Sequence, residues 1–191
     1  MDKLILGVPV KPFVITQPFG VNGEYYRANG INIKGHNGLD LVAYHGQPVI
    51  ASHDGIAYIE VDNNQGHGVV LISDRPYDVD GKQTFIKTIY WHLVDPKKDP
   101  KYPYPVKSGQ RVKRGQIIGY ADNTGFSQGN HLHYGLKPVK AGEKPFVWYN
   151  EKQNNGYGGG IDPLPYMEVT LRKKLLDLYN ELLKKIQKKE I

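Results

Sequence analysis

Seven histidines lie along the 191 residues, and three groups of them stand at spacings that can support chemistry. His36 and Asp40 form a His-x-x-x-Asp sequence within Gly35-His36-Asn37-Gly38-Leu39-Asp40-Leu41. Side chains on a strand alternate between faces, so positions i and i+4 share one face. An extended reading puts the imidazole and the carboxylate together and turns Leu39 and Leu41 the other way. That supplies two thirds of the ligand set of a catalytic zinc site. His131-Leu132-His133 is a His-x-His pair, again on one face of an expected strand, with Leu132 turned into the core. One of the two can serve a metal as neutral imidazole while the other stays free for proton transfer. His92 lies in Ile89-Tyr90-Trp91-His92-Leu93, and the same alternation puts it on one face with Tyr90. Taken alone, it reads as a histidine on a half-buried strand. His45, His53 and His67 sit beside turn residues at no such spacing and are assigned no role.

Composition narrows the chemistry further. The chain has no cysteine, which excludes disulfides, thiolate metal sites, iron–sulfur clusters and cysteine nucleophiles. Any metal must rest on His, Asp, Glu or amide oxygen. The net charge is +6, and a mildly basic protein favours anionic surfaces such as nucleic acid, phospholipid or bacterial wall polymers, although charge alone does not separate these from an ordinary solvated basic surface. Half of that excess falls in residues 168–191, where seven Lys/Arg face four acids. No apolar stretch approaches the ~18–20 residues of a membrane-spanning helix. The apolar start, Met1 to Val10, is cut by Gly7 and Pro9 and makes a poor secretory signal.

The elements that must position these residues read mainly as strands. The 22 glycines, 13 prolines and 14 tyrosines punctuate short runs of Val, Ile, Thr and Tyr, the pattern of a mostly antiparallel β domain. The predicted strands are Leu39–Ala43, Pro48–Ser52, Gly55–Val61, Gly68–Ser73, Lys87–Leu93, Ile117–Ala121 and His131–Leu136. Asp54-Gly55 and Asn63-Asn64 carry turn chemistry, and the proline-rich Asp95–Pro105 and the Asn/Gly-rich Asn150–Gly160 read as loops. A helix is predicted from Glu168 to about Lys189, because Leu171, Leu175, Tyr179, Leu182 and Ile186 fall on one face. The preferred reading packs that face on the chain's own domain; the alternative docks it on an anionic surface or a protein partner. The expected fold class is all-β dominated: an antiparallel sandwich or roll with a metal groove, plus one C-terminal amphipathic helix. The expected division is a domain over 1–167 and a basic helix over 168–191.

An ordered series of segments resembles the lysostaphin-type zinc metalloendopeptidases, which cut peptidoglycan cross-bridges and stem peptides. The series begins with Ile15-Thr16-Gln17-Pro18-Phe19-Gly20 and Gly35-His36-Asn37-Gly38-Leu39-Asp40. It continues through Gly46-Gln47-Pro48-Val49-Ile50-Ala51, Tyr90-Trp91-His92-Leu93 and Val112-Lys113-Arg114-Gly115-Gln116. It ends with Asn123-Thr124-Gly125, His131-Leu132-His133-Tyr134 and Asp162-Pro163-Leu164-Pro165-Tyr166. Carried over residue by residue, the resemblance makes His36, Asp40 and His133 the ligands of one zinc ion, His131 the catalytic base, and His92 a second, non-ligating histidine beside the reacting groups. It implies a groove over the sheet and bacterial peptidoglycan as partner, with no nucleic acid. Where the family commonly has Ser-Thr-Gly-Pro before the His-x-His, this chain has Ser127-Gln128-Gly129-Asn130. The stretch between Gly20 and His36 contains Tyr25, Tyr26 and Arg27, and the resemblance singles out none of them as a transition-state tyrosine or arginine. In some relatives an N-terminal asparagine fills the fourth zinc position, and Asn22, Asn29 and Asn32 lie in the corresponding stretch.

The resemblance therefore implies a zinc-dependent hydrolysis of peptidoglycan at the cell wall, and the poor secretory signal adds the expectation of a phage lysin, a virion-associated lysin or an enzyme exported by another route. The bond cut, whether a D-Ala–diaminoacyl link, a glycine bridge or another peptide, stays open. Three rivals are weighed. A catalytically silent relative would bind the wall or activate another hydrolase. A virion or wall-associated scaffold would hold the metal as a structural site, but the free His92 and His131 argue against that. A lipoyl- or biotinyl-type carrier would share Gly46–Ala51 and Val112–Gln116, but no Met-Lys or Asp-Lys tip lies between those segments.

Overall fold

Alternating burial along a few strands builds the framework. The computed structural model describes residues 2–141, 148–150, 155–170 and 172–177. In chain order the elements are β1 (Ile15–Gln17), α1 (Gly23–Ala28), β2 (Leu39–Val42), β3 (Pro48–Ile50), β4 (Gly55–Asp62), β5 (Gly66–Ser73) and β6 (Tyr77–Val79). There follow β7 (Lys82–Leu93), β8 (Gln110–Val112), β9 (Ile117–Tyr120), β10 (His131–Ala141) and β11 (Trp148–Asn150). Nine strands form one sheet in the order β1-β2-β10-β7-β5-β4-β8, with β11 added to β10 and β6 to β7; β3 and β9 form a second, small sheet. Every strand pair is antiparallel. The expected antiparallel β architecture is therefore observed.

One face of the large sheet carries the core. Leu39 and Leu41 of β2, Leu132, Tyr134 and Leu136 of β10, Tyr90 of β7 and Leu71 of β5 are fully buried there. Val49 of β3, Ile118 of β9 and the N-terminal Leu4, Leu6, Val8 and Val10 close over them. The opposite face of β2, β10 and β7 is the floor of a groove. The core thus fixes the register that aims the groove residues, since a one-residue slip would exchange the two faces.

Two local readings are corrected. His36 lies in the loop before β2, not on a strand, so the i, i+4 argument does not describe how it meets Asp40. Tyr90 and His92 do not share a face. His67 pairs Leu93 while the next β5 residue, Gly68, pairs Trp91, which leaves His92 as an extra residue in β7. Its φ of 65° marks the bulge, which turns His92 to the groove while Tyr90 stays in the core.

The described part of the C-terminal helix covers 168–170 and 172–177. Leu175, on the predicted apolar face, is 70% exposed, and its neighbour Leu176 is 58% exposed. The preferred packing of that face on the domain is therefore not seen at Leu175. Leu171, Tyr179, Leu182 and Ile186 lie outside the described residues.

Candidate metal centre

Three elements bring the site together. β2 pairs β10 with Asp40 opposite His133, and β10 pairs β7 with His133 opposite Trp91. The loop before β2 adds His36. Gly38 makes that loop possible: a Cβ there would lie 2.6 Å from the Tyr134 carbonyl oxygen and 2.9 Å from His133 Nε2. Glycine is what allows the backbone to pass so close to the imidazole.

The side chains converge on a small volume. His36 Nε2 lies 2.9 Å from His133 Nδ1, and Asp40 Oδ1 lies 3.0 Å from each of these nitrogens. These are the three sequence-predicted ligands, and the His36, Asp40 and His133 donor atoms all lie within 4.8 Å of one another. His36 and His133 are buried. Burial alone would raise the Asp40 carboxyl, but the His133 and His36 imidazoles, each 3.0 Å away, hold it well below the usual carboxylate range. His133 is pushed down by burial, against the pull of Asp40.

The outer nitrogens decide the protonation pattern. His36 Nδ1 lies 3.2 Å from the Pro18 carbonyl oxygen, His92 Nδ1 2.7 Å from that of Thr124, and His131 Nδ1 2.8 Å from that of Gly129. A carbonyl only accepts, so each Nδ1 carries a proton, and a ring with that single proton leaves its Nε2 bare. His131 Nε2 stands 3.6 Å from Asp40 Oδ1, and the His92 ring lies 4.6 Å from the His131 ring and 6.0 Å from the His133 ring. Burial, then the neighbouring His131 and His133 imidazoles, push His92 down to about 4. All five predicted positions therefore meet at one end of the groove.

This donor set suits a cation. A bare Nε2 of His36, a carboxylate oxygen of Asp40 and Nδ1 of His133 point at one another. Outer-nitrogen hydrogen bonds of the kind His36 makes also orient metal-binding imidazoles. A tetrahedral zinc ion with ~2.0–2.1 Å bonds to nitrogen would space its donors ~3.3 Å apart. The observed spacings reach that value with shifts of a few tenths of an ångström.

Three features of the groove were given no place by the sequence reading. α1 places Tyr25 and Tyr26 in the groove, and Tyr26 stacks on His36 at 6.2 Å between ring centroids. Gln17 donates to the Tyr26 hydroxyl, and burial with the nearby Asp40 charge raises that group to about 12. Tyr26 thus keeps its own hydrogen to donate. Of the three asparagines considered, Asn22 lines the groove. Lys87 and Lys137 line its far end. The three histidines without a role sit elsewhere: His45 bridges Asp99 and Asp122, His53 is buried against Thr88, and His67 bonds Tyr104.

With the geometry in place, comparison with known proteins identifies the class. The model of peptidase family M23 matches residues 34–158, and the chain belongs to that family. The sequence is 36% identical over 110 residues to the peptidoglycan DD-endopeptidase ShyA of Vibrio cholerae, covering 56% of this chain and 22% of that protein. The catalytic domain of the antimicrobial peptidase lysostaphin from Staphylococcus simulans superposes with a TM-score of 0.50 at 26% identity, covering 85% of this chain and 91% of that one. A zinc-containing peptidase from Vibrio cholerae superposes with a TM-score of 0.54 at 28% identity, covering 74% and 41%. The lysostaphin-type resemblance is thereby borne out. The chain spans 20% to 22% of the length of the first curated relatives it matches. Among the described residues, no helix is long and apolar enough to cross a membrane.

Proposed function

We propose that this protein is a zinc-dependent endopeptidase that hydrolyses peptide bonds of bacterial peptidoglycan. The observation that carries the reading is the convergence of His36, Asp40 and His133 with the bare Nε2 of His131 beside them. Held by those three residues, zinc supplies Lewis acidity, polarising a carbonyl and making water more acidic. His131 accepts the proton of the attacking water at Nε2 and returns it to the leaving amine. His92 donates through Nδ1 to Thr124, so its Nε2 is an acceptor and helps orient that water. Tyr26 offers a hydrogen to the substrate carbonyl oxygen. The groove, about 950 Å³ in volume, receives the peptide.

The peptidase unit ends near residue 167, and 168–191 is a basic appendage. Met167 is fully buried, and Glu168 N donates to the Leu6 carbonyl at 2.9 Å, which supports closure of the domain there. The site of action is the bacterial cell wall.

The test is a digest of purified peptidoglycans of several wall types, read by mass spectrometry. New peptide ends that vanish with a chelator and return with zinc are expected, and they would name the bond. A folded, zinc-loaded protein that releases no new ends from any wall would contradict the proposal and favour a silent wall-binding relative.

A further inference from the structure

The floor of the groove carries a feature the hydrolytic site does not use. Along β10 the groove-facing positions are His131, His133, Gly135 and Lys137, since Leu132, Tyr134 and Leu136 fill the core. Lys137 pairs Lys87 across β7, two register steps beyond Gly135 and Ile89. Both lysines and Glu60 line the same groove as the metal centre. Four residues of strand place Lys137 ~13 Å from His133 along the floor.

The charges there do not cancel. Lys87 Nζ is paired with Glu60 at 3.0 Å. The Lys137 side chain is half-buried, and its Nζ lies 3.9 Å from where a Cβ on Gly158 would sit. Among the described residues, its ammonium makes no hydrogen bond or ion pair. Burial, and then the neighbouring Lys87 charge, lower the Lys137 ammonium, and the attraction of Glu60, which is already paired with Lys87, only partly opposes this. A desolvated charge without a partner is unfavourable, and one delivered by a ligand relieves it. The trio carries a single net positive charge, and Glu60 would repel a dianion. The complement is a monoanion.

We propose that Lys137 is the specificity residue of a carboxylate-binding subsite, which selects stem peptides bearing a free carboxylate over neutral glycine bridges. This rests on the peptidoglycan endopeptidase reading above. At ~3.3–3.6 Å per extended residue, the carboxylate stands three to four residues, or an arm of equal length, from the scissile bond.

Two purified stem-peptide fragments test this, identical except that the carboxylates of one are amidated. They are given to the zinc-loaded full chain and to Lys137→Met and Lys137→Arg. A charge-assisted hydrogen bond is worth about tenfold to a hundredfold in selectivity. The wild type should favour the free-carboxylate form by that factor in kcat/KM, mainly through KM. Lys137→Met should bring the ratio close to one, and Lys137→Arg should restore most of it. Equal kcat/KM for the two forms with wild type, or an unchanged ratio in Lys137→Met, overturns the subsite while leaving the endopeptidase reading intact. If neither form is cleaved, the endopeptidase reading fails, and calorimetric affinities of the two uncleaved fragments decide the subsite. Tighter binding of the free-carboxylate form by wild type alone supports it, and equal affinities overturn it.

Discussion

Two polar clusters sit back to back on the same strands, and they are built to opposite rules. On the core face, the Tyr134 hydroxyl donates to Ser52 Oγ, and the chain of hydrogen bonds runs on through Tyr90 and Thr88 to His53. His53 then closes on the Asp54 carbonyl at 2.8 Å. On the groove face, one residue away along the backbone, His133, Asp40 and His36 turn acceptor atoms toward one another, and His131 and His92 add bare nitrogens. The first cluster satisfies itself. The second has the outer nitrogens of His36, His92 and His131 satisfied by carbonyls and its inner atoms left to a ligand. Burial of polar groups is therefore no sign of function by itself; what separates the two clusters is whether donors and acceptors balance within the protein.

The largest difference should appear in activity. His131→Ala removes the proposed base and none of the three proposed ligands, so it should lower the hydrolysis rate by about 10²–10⁴-fold without loss of metal. A variant within a few-fold of wild type would remove His131 from the mechanism. On the opposite face the effect should fall on stability and its pH dependence. Burial pushes His53 down to about 4, so between that pH and its ordinary value near 6.5 the unfolded chain binds a proton that the folded chain refuses. Its stabilising contribution is full above the ordinary value and is lost as pH falls toward the folded one. The loss amounts to about 3 kcal/mol. In urea titrations across that range, His53→Leu should show a flatter stability profile than wild type by that amount; parallel profiles would contradict the buried neutral form. The smallest effect is expected for Tyr134→Phe, which deletes the first link of the chain. It should destabilise by about 1–3 kcal/mol and leave metal affinity unchanged. A drop in metal affinity would show that the two faces are coupled.

The same contrast explains what the sequence could reveal. The seven predicted strands are present because alternation leaves a trace wherever one face is buried, as in Leu39 and Leu41 or Leu132 and Leu136. Ile15–Gln17, Tyr77–Val79, Gln110–Val112 and Trp148–Asn150 span three residues each, too few for a period to show. The six-residue α1, entered through Asn22 at a φ of 60°, is equally short. Type and spacing singled out His36, Asp40, His131 and His133, and the family resemblance added His92, but the structural reasons for His36 and His92 were not legible. His36 reaches the site from a loop, and His92 reaches it through a bulge that breaks alternation. The groups that fix three of the imidazoles are the carbonyls of Pro18, Thr124 and Gly129. Every residue has a carbonyl, so no residue type announces that role. Lys137 was hidden for another reason: it lies just past the predicted strand His131–Leu136, and only the longer β10 shows it lining the groove beside Lys87.

The central claim is that the groove face holds acceptors for a metal and the core face does not. Calorimetric zinc titration of the chelator-stripped chain tests it directly, with wild type, His131→Ala and His133→Ala compared. One ion per chain is expected for wild type and for His131→Ala, and strong loss of binding for His133→Ala, with all three folded by circular dichroism. Binding that survives in His133→Ala, or fails in the folded wild type, would contradict the account.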